Sequence, residues 1–159
     1  MRNRLFLLLV TLLALQGIAC ANEREEIAKL YQAALGGNRE AVDPCIAKLE
    51  AAVKVDPSNQ LARVYLGSSY TLRSRDLGFG PSKLQTLKQG LAEMDAAVLA
   101  APRDPHVRLV RAMTTDALPF FAGRRQSTDD DFKWLGAAAK QTPGVLSEGD
   151  LAVIRAHNH

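Results

Sequence analysis

Three stretches of the chain close in the same way. Leu49, Ala52 and Pro57 share their relative spacing with Met94, Ala97 and Pro102, and again with Leu135, Ala138 and Pro143. Apolar residues three apart lie on one helix face, and a proline beyond them stops the helix. Ten residues after Pro57 stands Gly67, and ten after Pro102 stands Ala112. Glycine within a helix costs about 1 kcal/mol relative to alanine, so Gly67 in the stretch ARVYLGSSYTL implies a second helix that comes close there. A unit repeated in this manner cannot bury its apolar face alone and needs a neighbour of its own kind.

The segments between these ends read as helices. Ile27, Leu30, Tyr31, Ala34 and Leu35 fall on one face of a first helix, which Gly36-Gly37 ends. Asp43 is expected as N-cap of a second, with Pro44 in its first turn and Ile46, Leu49 and Val53 as its buried stripe. The pattern predicts a third helix from about Gln60 to Arg73. A fourth, from about Lys83 to Ala100, carries Leu84, Leu87, Leu91, Met94 and Val98. A fifth runs from His106 to about Ala117. Thr128 and Asp131 read as a capping-box variant ahead of Phe132, Leu135 and Ala139 in a sixth, and Ser147 with Asp150 opens the last. Period-two alternation never persists. The fold class is therefore all-α, with about three stacked antiparallel helix hairpins followed by a C-terminal helix.

Leu66-Gly67-Ser68-Ser69-Tyr70, followed by a second helix ending in LAEMDAAVLAAPRD, resembles the tetratricopeptide repeat across about Cys45 to Ala112. Arg63 stands where that family usually has a large aromatic. The repeat prolines lie 45 and 41 residues apart, against a family unit of about 34. The third pair has few consensus residues. The extra length maps to DLGFGPS and LPFFAGRRQ, between the helices of a hairpin. The resemblance implies a right-handed stack whose first helices line a concave surface used for binding protein segments. It places Tyr65, Ser68 and Leu72 on that surface, then Leu109, Val110 and Met113, although Leu72, Leu109 and Val110 also read as core.

Arg108 and Arg111 share a helix face, at repeat positions that normally pack inside the hairpin. Asp131 occupies the sixth-helix position equivalent to Cys45 and Gly90, a small-residue site looking back at the fifth helix. These placements predict a partly buried ion pair between Arg111 and Asp131. It acts either as a polar latch or as a guanidinium site for a carboxylate. Phe120 and Phe121 cannot both point the same way on a helix. They read as a plug beneath the insertion, with an exposed anchor as the alternative. Arg124 and Arg125 are expected to be solvated.

Catalytic constellations are poorly represented. His106, His157 and His159 have no cysteine or acidic cluster at ligand spacing, so no metal site is assigned. Asp129, Asp130 and Asp131 suit a helix start, Gly78-Phe79-Gly80 lacks the rest of a phosphate-binding fingerprint, and Cys45 reads as a small buried residue. No enzyme activity and no cofactor are expected.

MRNR, the apolar run LFLLLVTLLAL and Ala19-Cys20-Ala21 read as a secretory signal peptide over residues 1–21, with the repeat domain spanning 22–159. Without Arg2 and Arg4 the formal net charge of +3 becomes +1, which removes the argument for nucleic acid. GIAC also resembles a lipobox, in which Cys20 would be lipidated and the chain tethered to a membrane. The expected role is an exported scaffold, periplasmic or secreted, that binds a protein or peptide partner in the cell envelope. The alternative is an envelope accessory domain that takes a small anionic ligand through the arginine cluster; the alternative location, for either role, is that of a membrane-anchored lipoprotein. On the first reading the partner-binding residues are Tyr65, Ser68, Leu72, Arg108, Arg111 and Met113.

Overall fold

The computed structural model describes residues 21–158, apart from the Phe121 side chain. The leader assignment and Cys20 thus lie outside the described residues, as does His159. Seven α-helices and no strand are present among the described residues. The described part of α1 covers 21–35. Gly37, at φ 98°, lets the chain reverse, and Asn38 caps a 3-10 turn, Arg39–Ala41, that leads directly into α2, Val42–Val55. Because the chain is already helical at Ala41, Asp43 falls in the first turn of α2 and is not the N-cap expected from sequence. A cap residue needs extended backbone so that its side chain can reach the first free amides.

The other starts follow that rule more closely. Asn59 accepts the amide of Ala62 and opens α3, Gln60–Asp76. Pro81 begins α4, Pro81–Ala100, where its missing N–H does no harm. Asp104 accepts the amides of His106 and Val107 at the head of α5, Pro105–Asp116. A reciprocal Ser147–Asp150 capping box starts α7, Glu148–His157. The exception is α6, Arg125–Gln141, which begins three residues before Thr128. Thr128 and Asp131 are therefore interior residues and not its cap.

Helices α1 and α2, α3 and α4, and α5 and α6 form three antiparallel hairpins in a stack, and α7 packs on α6. The core passes from one hairpin to the next through helices that serve two clusters. On α3, Leu66 and Tyr70 join Tyr31, Ile46 and Leu49 of the first hairpin, while Val64 faces Met94, Ala97 and Val107. On α5, Val107 belongs to that second cluster and Leu109 and Ala112 to a third, with Phe132, Leu135 and Ile154. This shared use of side chains is how a stack of two-helix units buries a continuous core. The repeated positions Leu49, Met94 and Leu135 are all buried, as are Cys45, Gly90 and Asp131.

The extra repeat length is taken up differently from the sequence expectation. Helix α3 has 17 residues and α4 has 20, joined by residues 77–80 alone, so the second hairpin absorbs its excess as longer helices. Only the third hairpin carries a longer connection, residues 117–124.

At Gly67 the expected close approach is present. A Cβ on Gly67 would lie 2.6 Å from the Gly90 carbonyl oxygen and 2.9 Å from the Met94 amide nitrogen, and one on Gly90 would lie 2.5 Å from the Gly67 oxygen. The Met94 Cγ lies as close, at 2.6 Å from a Cβ on Gly67, but the backbone obstacles cannot swing aside. Gly67→Ala is expected to lower unfolding free energy by about 1–3 kcal/mol, as overpacking does elsewhere. Gly78→Ala, where nothing stands within 4 Å, should change it by less than about 0.5 kcal/mol. Urea unfolding of both variants measures the difference, and equal stabilities would refute the contact.

Candidate functional site

The first helices of the three hairpins meet along an inner face tied together by hydroxyls. Tyr31 Oη on α1 is 2.8 Å from Ser68 Oγ on α3, which is 2.8 Å from Thr114 Oγ1 on α5. Ser68 is 1% exposed, so this sequence-named residue joins helices and does not reach solvent. Tyr65, one turn earlier, is half-buried and stands edge-on to Tyr31, with ring centroids 4.8 Å apart. Burial pushes its phenol upward, and the negative charge of Asp150 on α7 adds to the effect. Leu72 is half-buried against the first cluster, Leu109 is core and Val110 packs on the second cluster. Met113, next to Thr114, is 44% exposed, and Leu61, one turn before Tyr65, is 40% exposed. The open part of this face is therefore Leu61, Tyr65 and Met113. Leu61 carries the same helical spacing as Tyr65 and is legible on that ground.

Beside this face the arginines form a closed network. Asp131 is fully buried. Arg111 grips it with two bonds, Nε to Oδ2 at 2.7 Å and Nη2 to Oδ1 at 2.9 Å. Arg108 Nη1 adds a bond to Oδ1 at 2.6 Å. The Arg108 guanidinium lies 4.7 Å over the Trp134 ring, and its Nε donates to the Pro102 carbonyl at 2.7 Å. Arg111 Nη1 also reaches Asp95 on α4 at 3.0 Å, and both terminal nitrogens of Arg124 bond the same carboxylate. Burial works against the charge on Arg111, but its bonds to Asp131 and Asp95 outweigh that and hold its pKa above the ordinary arginine value. The expected Arg111–Asp131 pair is present.

Arg124 is not the solvated residue that its sequence neighbourhood suggested. The connection after α5 folds back so that Arg124 reaches α4, a contact between residues 29 apart that no local pattern announces. Arg125 is exposed and has no ion-pair partner among the described residues. Phe120 is 85% exposed, so it is no plug: the chain turns through a 3-10 segment, Phe120–Ala122, and reverses at Gly123, φ 68°. His157 is also engaged. Its ring stacks on Phe132 at 4.0 Å, with Nδ1 3.3 Å from Asp116 and Nε2 3.1 Å from Asp129, which fastens α7 to the last hairpin. Cys45 is buried 3.6 Å from Ser69 Oγ, and burial raises its thiol pKa. Among the described residues no three His, Cys, Asp or Glu side chains are grouped to hold a metal ion, and no helix is long and apolar enough to cross a membrane.

Compared with models of known protein families, with curated proteins and with solved structures, the chain matches none.

Removing the shared acceptor should unbalance the network. Asp131→Leu is expected to cost roughly 3–5 kcal/mol because buried guanidinium groups lose their partner. Adding Arg111→Met should restore a substantial part of that loss in urea unfolding. A single variant as stable as the parent would show that the network does not hold the fold. A second outcome concerns the tyrosines. Burial pushes Tyr31 up to about 12, against its bonds from Ser68 and Thr114, and burial with the Glu50 hydrogen bond does the same for Tyr70. The unfolded chain releases these protons near 10, so their contribution to stability is full below that pH and disappears as pH rises toward 12. Ultraviolet titration should show all three tyrosines ionising above their ordinary value, Tyr31 and Tyr70 latest, and all three ionising together near 10 in the folded protein would contradict it.

Proposed function

We propose that the chain is an exported, non-enzymatic scaffold of the tetratricopeptide type, periplasmic or secreted, whose inner helix face binds a segment of another cell-envelope protein. The observation that carries this reading is the exposure of Leu61 and Met113, with the half-buried Tyr65 between them, along a face whose helices are joined beneath by the Tyr31–Ser68–Thr114 hydroxyls. The joining bonds use buried groups and leave the outer side chains free. Aromatic residues and methionine are common in the cores of protein interfaces, and methionine adapts to partners of varied shape. Export rests on the basic start, apolar run and small residues before residue 22, and lipidation at Cys20 would add a membrane tether. The alternative, capture of a small anion by Arg108 and Arg111, has less support, because both guanidinium groups already serve Asp131.

Photo-cross-linkers placed at Met113, and at exposed Arg103 as a control, test the surface in the native envelope. A partner should be captured from position 113 and not from 103. Tyr65→Ala and Met113→Glu should each weaken the purified complex by about tenfold or more, without changing circular dichroism. Binding should survive salt near 1 M, where screening acts beyond about 3 Å. Capture unaffected by both variants would overturn the groove assignment, and loss of binding in salt would favour the anionic alternative.

A further inference from the structure

Helix α7 stands in the place of a first helix that has no second. Val153 lies ten residues after Pro143, as Gly67 follows Pro57 and Ala112 follows Pro102. At the two earlier positions the second helix of the hairpin comes close: Gly67 meets the Gly90 backbone, and Ala112 is fully buried in one cluster with Phe132 of α6. Val153 is 38% exposed, so the crossing seen in the earlier hairpins is missing here. The groups that fasten α7 to the body belong to its other side. Ile154 is buried in the third cluster, His157 stacks on Phe132, and Asn158 Nδ2 donates to the Phe132 carbonyl at 3.2 Å.

The open side of α7 has a definite layout. At about 100° per residue, Gly149, Ala152 and Ala156 fall together on the face turned away from Ile154, and all three are exposed. Glu148 and Arg155 border this face on one side, and Val153 borders it on the other. The Glu148 and Arg155 side chains are 88% and 62% exposed and 3.4 Å apart, a surface pair that is weakly held and free to change partners. With no large side chain at its centre, the face admits the backbone of another helix closely, as Gly67 and Gly90 do within the second hairpin.

Charge selects the occupant. Glu148 and Arg155 lie on the same border near opposite ends of α7, with Ala152 between them. A two-fold axis near Ala152 sets a second α7 antiparallel to the first. Each Glu148 then lies beside Arg155 of the other copy, each Gly149 beside Ala156, and the two Val153 side chains meet on the opposite border. Such self-complementarity, residue i meeting j and j meeting i, is what a two-fold interface requires. A parallel pair would instead set like charges side by side. We propose that α7 is a dimerisation helix through which two copies of the chain associate in antiparallel, with Ala152 at the axis and two Glu148–Arg155 pairs along one border. The contact uses one face of a ten-residue helix from each copy, which places it at the low end of specific interfaces, below about 1,200 Å². The association is therefore weak and driven by concentration, and it does not depend on the scaffold reading of the inner face.

Sedimentation equilibrium of the purified chain carrying Cys20→Ser should show monomer and dimer with a dissociation constant below about 1 mM. Ala152→Glu alters an exposed side chain, so the melting temperature should hold while self-association weakens by about tenfold or more. Glu148→Arg and Arg155→Glu should each weaken the dimer by about tenfold, because each sets like charges together twice, and the double reversal should return to within about threefold of the parent. In the same background Ala152→Cys should form a disulfide-linked dimer on mild oxidation, since Cys45 is buried and does not compete. Ala92→Cys, exposed on α4, should not. A chain that stays monomeric up to about 1 mM, equal cross-linking from positions 92 and 152, or a double reversal no better than the single ones would overturn the proposal.

Discussion

Where α3 crosses α4 the two backbones meet with no side chain between them, at Gly67 and Gly90. Two helices normally keep their axes 8–10 Å apart because side chains intervene. Removing both side chains lets Met94, Ala97 and Val98 of α4 share one cluster with Val64 of α3 and Val107 of α5. The helix propensity lost at each glycine, about 1 kcal/mol, is of the same order as what one fully buried large apolar side chain contributes, about 1.5–3 kcal/mol. Met94 alone, fully buried against the contact, is enough to offset one glycine. The rest of the stack is hung on this pair, since α3 also holds the first hairpin through Leu66 and Tyr70 and reaches α5 through Ser68.

The three hairpins fill one equivalent position in three ways. The first has Cys45, whose sulfur rests against Ser69. The second has Gly90, whose backbone meets Gly67. The third has Asp131, and a carboxylate there demands partners that a thiol or a hydrogen does not. Arg108 and Arg111 supply them from α5, while Arg111 and Arg124 share Asp95 on α4. A buried ion pair brings little net stability relative to well-packed apolar residues. What it brings is direction, because the planar guanidinium fork accepts a carboxylate only in certain orientations. The third hairpin, which lacks a glycine contact, is thereby aligned with the second and with the connection that precedes α6.

What the sequence discloses depends on the distance over which each feature acts. The repeated Leu, Ala and Pro spacing, the small residue ten places on, and the Ser147–Asp150 box depend on neighbours within a few turns, and all are where the pattern puts them. Asp131 is recognisable as anomalous because it stands where the other repeats keep a small residue, and that anomaly points to Arg111. Asp95 and Arg124 give no such sign. Each looks like an ordinary surface charge until a connection of eight residues folds one over the other. The start of α6 departs from the pattern for a related reason: Thr128 and Asp131 have the spacing of a cap, but their side chains are claimed by Thr115 and by the arginines of α5. Local capping preferences lose to tertiary partners when a long-range contact is available. Phe120 eludes the pattern because adjacency to Phe121 says only that two rings diverge, not which one faces water.

Unequal helix lengths shape the edge of the stack. Thr114, near the end of α5, meets Ser68 in the middle of α3. Helix α3 continues for eight residues beyond Ser68, whereas α5 continues for only two beyond Thr114. At a rise of about 1.5 Å per residue, α3 overshoots its neighbour by roughly 9 Å, and the far end of α3 is met instead by α1, through Arg75 Nη2 and the Ala34 carbonyl. The stack is therefore stepped on one edge. The short α5 leaves the ledge on which the connection 117–124 lies, Arg124 turns from it to α4, and His157 closes it from α7. Lengthening α5 by two turns would fill that ledge with helix and bring its end level with α3. The cavity of about 280 Å³ at this ledge is thus a product of mismatched helix lengths, and its polar lining comes from residues that a uniform array would have left on separate edges.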